Sequence, residues 1–275
     1  MSEATASYSQ DSASTRPTRQ PIKRGPSLTD SLTELPRTLF EVASLTSTWI
    51  PLIAEAPRGE PHPVMVLPGF TADDTSTAML RRFLAQLRYK PLPWLQGTNT
   101  GNPQLLENVM LRFYRIHKSM DTPITLIGQS LGGVFAREIA RTFPDAVRSV
   151  ITLGSPYGAT GSGATNPLVE RLFRHMSGVT VEEMRTLIPE GAQFERLPMP
   201  TTSVFSKTDG VVGWRSCIED EDHNSENIQV RGSHSGMAMN PDVLRIIADR
   251  LAQDPDSWQP FDAVSGCRRF IYPSK

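Results

Sequence analysis

The segment I-T-L-I-G-Q-S-L-G-G-V-F-A-R-E-I-A (124–140) decides the fold. Ile124 to Gly128 is a continuous apolar run with β-branched residues, which reads as a strand buried on both faces. From Leu131 the period changes. Val134, Phe135, Ile139 and Ala140 fall on one face of a helix expected over 131–142. Ser130 stands at the junction, with Gly128 two positions before it and Gly132 and Gly133 just after. A serine hydroxyl is a poor nucleophile, and the chemistry needs it presented on a sharp strand-to-helix turn where small neighbours let the backbone approach itself. The following helix aims its free N–H groups at that turn and favours an anion there. The bare G-x-S-x-G pattern is weak, but its strand–turn–helix setting makes it informative. The bland alternative is a glycine-rich turn that only packs helix on strand.

Outward from this segment the chain alternates. P-V-M-V-L-P-G (63–69) reads as a buried strand ending in a loop. Met79, Leu80, Phe83, Leu84 and Leu87 give a helix over 76–88. A strand-like piece around Leu92 to Leu95 follows, then a loop at Gly97–Gly101 and a helix over 103–118. V-R-S-V-I-T-L-G (147–154), S-V-F-S (203–206) and N-I-Q-V-R-G (227–232) are further strands, and 241–252 closes as a helix. This rhythm predicts an α/β architecture, a doubly wound and mainly parallel sheet covered on both faces. Ligands then sit at the carboxyl ends of the strands.

The remaining segments divide as follows. Residues 1–27 are polar and are expected to stay disordered, with Arg16, Arg19, Lys23 and Arg24 forming a basic group. Residues 28–56 form a helical N-terminal segment. Leu28, Leu32, Leu35, Leu39 and Val42 step by four and three, a stripe expected to pack on the body, and Pro36 suggests two short helices. Association of residues 28–50 with a membrane surface or a partner is the minority alternative, since Phe40 and Trp49 are available to it. The main domain is expected over 57–262, and 263–275 form a C-terminal tail. Residues 156–200 break the rhythm, with a Gly/Thr/Ser stretch (158–165) before an amphipathic piece, and are a candidate cap or lid.

Composition narrows the function classes. A net charge of −1, with signs mixed along the chain, gives no footprint for nucleic acid. No run approaches the roughly 18 apolar residues of a spanning helix, and no secretory signal is visible. A cytoplasmic location is therefore the default expectation. Cys217 and Cys267 have no metal-ligand spacing. They read as two free thiols, or as one bridge holding the C-terminal tail. Neither a metal nor a cofactor is expected.

Two further residues complete a nucleophile–base–acid set. Asp209, in T-D-G-V-V (208–212), directly follows a strand. Its rivals Asp220 and Asp222 lie in an acidic run that looks solvated. His234, in R-G-S-H-S-G (231–236), follows the last strand, whereas His223 precedes it and the other histidines, His62, His117 and His175, lack a strand-end position. The oxyanion formed by attack needs two donors. Leu131 N–H is one, and Phe70 N–H, with Thr71 as the fallback, is the other. Thr71, Gln129, Leu168 and Leu172 are the expected substrate contacts.

With these segments in view, the chain resembles the α/β-hydrolase superfamily, and within it a lipase/esterase-like group of bacterial hydrolases. The matching stretches are V-M-V-L-P-G-F, L-R-R-F-L, G-Q-S-L-G-G, F-P-D-A-V-R-S-V-I-T-L-G-S-P, T-D-G-V-V-G-W-R-S-C and I-Q-V-R-G-S-H-S-G-M, over roughly residues 57 to 262. The resemblance implies the same three residues, Ser130, Asp209 and His234, as a triad. Many relatives carry His-Gly where this chain has Pro68-Gly69. No clear pair of strands precedes Pro63, which leaves room for a sheet short of the full fold's first two strands. The expected activity is hydrolysis of a small-molecule acyl ester. Acyl transfer, thioesterase or amidase chemistry could use the same residues, and a non-catalytic binding module is the reading from another class.

Overall fold

The computed structural model describes residues 25–158, 165–186, 196–266 and 268–273. Most of the expected N-terminal tail with its four basic residues, the greater part of the Gly/Thr/Ser stretch, and Cys267 lie outside the described residues.

Six strands form one sheet among the described residues: β1 (Pro63–Leu67), β2 (Lys90–Leu92), β3 (Ile124–Gln129), β4 (Val147–Leu153), β5 (Thr201–Ser206) and β6 (Ser225–Val230). Their spatial order is β2-β1-β3-β4-β5-β6. Every pairing is parallel, with Val64 opposite Thr125 and Val204 opposite Ile228 marking the register. The expected piece at Leu92–Leu95 is displaced. The strand ends at Leu92, and Leu95 takes a positive φ of 53° in the loop beyond. No strand precedes Pro63 among the described residues.

Side chains along a strand alternate between faces, so each strand feeds two cores. Val64 and Val66 join a cluster built with α2 (Glu34–Glu55), α3 (Ala78–Gln86) and α8 (Pro241–Ala252). Met65 and Leu67 join the opposite cluster, built with α4 (Pro103–Met120) and α5 (Leu131–Thr142). The sheet is thus doubly wound, as expected, and a buried apolar cluster covers each face. Two further helices, α6 (Pro167–Ser177) and α7 (Val181–Thr186), occupy the interval between β4 and β5. A short helix, α9 (Arg268–Ile271), ends the described chain.

The N-terminal segment departs from its expected packing. It does break into two helices, α1 (Leu28–Leu32) and α2, but the second is 22 residues long. Pro36 lies in the first turn of α2, where its missing N–H costs no intrahelical bond. The apolar stripe does not pack on the body: Leu28, Leu32, Leu35 and Leu39 are 61–76% exposed. The docked face is Glu34, Thr38, Glu41, Leu45 and Leu52, about one residue round the helix. Its first half is polar and ties the helix by hydrogen bonds to sheet-end loops. Its second half is apolar and enters the core, where Trp49 packs edge-on to Phe83 with ring centroids 6.2 Å apart. Counting apolar residues alone finds the wrong face here.

Two buried ion pairs lock the periphery. Arg137 on α5 meets both oxygens of Glu219 at 3.0 and 2.9 Å, and Arg250 on α8 meets Glu226 at 2.9 Å. Cys217 is buried with a free thiol, held well above its usual pKa by desolvation, so it is a packing residue.

Candidate active site

Ser130 directly follows β3 and caps α5 with φ 51° and ψ −122°, a conformation that L-residues rarely hold. Close packing imposes it. A Cβ on Gly128 would lie 2.3 Å from Gly132 O and 2.4 Å from Gly133 Cα, and one on Gly132 would lie 2.3 Å from Leu67 O. Only glycines let β3, α5 and β1 meet this closely, and the turn between them must be sharp. Ser130 N–H donates to Leu153 O at 2.8 Å, which pins the turn to the end of β4.

The loop after β1 lies against this turn. A Cβ on Gly69 would stand 3.2 Å from Ser130 Cβ. Asn99, fully buried, donates its side-chain amide to Pro68 O at 3.0 Å, and Asn99 O accepts Thr71 N–H at 2.8 Å. Thr71 N–H is therefore committed, and the fallback oxyanion donor is ruled out on geometry. Phe70 N–H has no partner among the described residues, and Leu131 N–H belongs to the first turn of α5, where helical partners are absent. Asn99 was invisible to motif reading. In the sequence it is one of three polar residues, with Thr98 and Thr100, in the loop Gly97–Gly101.

Asp209 and His234 meet at the ends of β5 and β6. Asp209 Oδ2 accepts from His234 Nδ1 at 2.6 Å. Its Oδ1 accepts from Val211 N–H at 2.8 Å and Val212 N–H at 2.7 Å, and these two bonds aim the second oxygen at the imidazole. Both residues are buried. Burial alone would lower the His234 pKa. The Asp209 charge and hydrogen bond, with a further contribution from Glu34, outweigh it and hold the imidazole above its ordinary value. The rivals lie apart: Asp220 and His223 are exposed, and Asp222 pairs with Arg196 at 3.3 Å.

Ser130, Asp209 and His234 share the carboxyl edge of the sheet. A Cβ on Gly154, which follows β4, would lie 3.2 Å from both Asp209 Oδ2 and His234 Nδ1. Gln129 Nε2 donates to His234 O at 3.0 Å. Gln129 thus ties the Ser130 turn to the His234 loop and does not face the cleft expected to hold substrate.

That cleft has about 890 Å³ of space, open mouth included, and Phe70, Ser130 and Leu131 are among its lining residues. Helices α6 and α7 form one wall through Val169, Phe173 and Met184, and the Phe173 ring packs 5.2 Å from that of Phe70. Leu168 and Leu172 do not line it. They are 74% and 42% exposed, because α6 turns the positions one residue on, 169 and 173, inward. Along α5 the lining continues with Val134 and Glu138, whose carboxyl is pushed up in pKa by burial despite its pairing with Arg141.

The chain has the α/β-hydrolase fold. No protein-family model and no curated protein matches it. Solved structures do. It is similar to lipase B of Aspergillus fumigatus at 19% identity and a TM-score of 0.56, over 78% of this chain and 58% of that one, so it spans little more than half the fungal lipase. It is similar to a monoacylglycerol lipase of Paleococcus ferrophilus (15% identity, TM-score 0.51, 72% of this chain and 97% of that one). An α/β superfamily hydrolase of Oenococcus oeni PSU-1 matches at 15% identity and a TM-score of 0.50, over 72% of this chain and 94% of that one. No helix among the described residues is long and apolar enough to cross a membrane.

Proposed function

We propose that the protein is a serine hydrolase that cleaves a carboxylic ester through Ser130, His234 and Asp209. The observation that carries the reading is the φ of 51° at Ser130, a rare conformation held by a glycine-packed turn at the end of a parallel strand. His234 removes the hydroxyl proton as Ser130 attacks the carbonyl. Asp209 keeps the proton of His234 on Nδ1, so that Nε2 is the base, and stabilises the imidazolium. The N–H groups of Phe70 and Leu131 receive the oxyanion. His234 returns the proton to the leaving alcohol, and water then releases the acyl group.

An acyl substrate is favoured by the largely apolar cleft that Ser130 lines together with Val134, Val169, Phe173 and Met184. The likeness in fold to two lipases supports the same class. A panel of p-nitrophenyl esters of increasing chain length tests this. The reading expects turnover of at least one chain length, with loss on the order of 10⁴-fold or more in His234→Ala. Equal turnover in that variant would remove His234 from the reaction. Added alcohol in the same assay separates hydrolysis from acyl transfer by the ratio of acid to new ester.

A further inference from the structure

We propose that Glu34, on the N-terminal helix, is a positioning residue that holds the Asp209 and His234 loops in register with one carboxylate. The inference rests on the triad reading above and adds a residue from outside the sheet. Glu34 Oε2 accepts from Gly210 N–H at 3.1 Å, and Oε1 accepts from Ser235 N–H at 2.8 Å. Gly210 follows Asp209 and Ser235 follows His234, so each oxygen holds the residue next to one member of the pair. The Glu34 side chain is only 13% exposed. Its neighbours act on the same two loops. Ser31 Oγ donates to Gly210 O at 2.8 Å, and the Arg37 guanidinium donates to Thr208 O and, at 3.3 Å, to Gly232 O. The fit is close, since a Cβ on Gly210 would lie 2.4 Å from Asp30 O.

A purely structural role, fastening the helix to the body, is already filled by other groups. Buried Glu41 accepts from Ser233 N–H at 2.8 Å and Asn240 Nδ2 at 3.1 Å, while Leu45 and Leu52 enter the core. Glu34 therefore contributes something besides docking: the mutual placement of acid and base, and negative charge beside the imidazole. The charged and titratable groups around His234 are Asp209 from the β5 loop and Glu34, Arg37 and Glu41 from α2.

Glutamine in this place has one acceptor oxygen where two N–H groups converge, so Glu34→Gln releases one loop and removes the charge. Aspartate keeps the charge but is one methylene too short to reach both. The test is the second-order rate of fluorophosphonate labelling against pH for wild type, Glu34→Gln, Glu34→Asp and a control, Glu55→Gln, near the far end of α2. Both Glu34 variants are expected to label about 10- to 100-fold more slowly, the scale of a small misplacement of reacting groups. The midpoint of the pH profile is expected to move toward acid in Glu34→Gln and to stay in place in Glu34→Asp. The control keeps rate and midpoint, and melting curves establish that each variant is folded. Wild-type rate and midpoint in Glu34→Gln would overturn the proposal. Slow labelling with the midpoint shifted equally in both variants would overturn the charge component. Failure of wild type itself to label would instead overturn the triad reading beneath it.

Discussion

Gly128→Ala tests the turn through its packing. The added methyl would stand 2.3–2.4 Å from Gly132 O, Gly132 C and Gly133 Cα. Comfortable separations for such atoms are about 3.5 Å, so strand and helix must part by roughly 1 Å. All three neighbours are backbone, and no rotamer change relieves the contact. Overpacking of this kind costs about 1–3 kcal/mol, and a backbone wall puts this site at the upper end. In a domain of this size that corresponds to a fall in melting temperature of roughly 5 °C or more. The same displacement moves Ser130 relative to the Phe70 and Leu131 N–H groups, and a shift of that size costs on the order of 10² in rate. Thermal melts and fluorophosphonate labelling on one preparation read both effects. A variant that melts with wild type and labels at its rate would refute the claim that close packing sets the turn.

Three other substitutions and conditions probe the remaining parts. Asp209→Asn keeps an oxygen for Val211 and Val212 N–H but turns an NH₂ toward His234, which forces the wrong tautomer; kcat should fall on the order of 10⁴-fold with the fold intact by circular dichroism. The pH–rate profile should rise with pH, because His234 acts when neutral, and its midpoint should lie above about 6.5, because the imidazole pKa is raised; a midpoint well below that, in kcat/KM, would contradict the placement of Asp209 beside it. Glu41→Ala leaves Ser233 N–H, Ser233 Oγ and Asn240 Nδ2 without their buried acceptor, and urea unfolding should show a loss of about 3 kcal/mol or more.

The alternation of apolar runs and helical stripes was legible because each buried strand must be apolar on both faces and each covering helix on one. Every one of the five clear strand expectations falls on a strand of the sheet. Ser130, Asp209 and His234 stood out for a related reason: each follows a strand, and a parallel sheet gathers strand ends at one edge. Contacts that depend on rotation about a helix axis were less legible. Leu168 and Leu172 have the apolar character of a cleft wall, yet a single step of about 100° puts Val169 and Phe173 there instead. The N-terminal stripe fails in the same way, because Glu34 and Glu41 outrank nearby leucines when loop N–H groups need acceptors. Thr71 and Asn99 show a further limit. Which loop amides are already bonded depends on a partner about thirty residues away, and spacing carries no trace of it.

The central claim is that Ser130 carries the nucleophilic oxygen. Peptide mapping by mass spectrometry after fluorophosphonate treatment reads it directly. The account predicts one phosphonylated serine, at position 130, and no adduct in Ser130→Ala. An adduct on another residue, or one that persists in that variant, would contradict it.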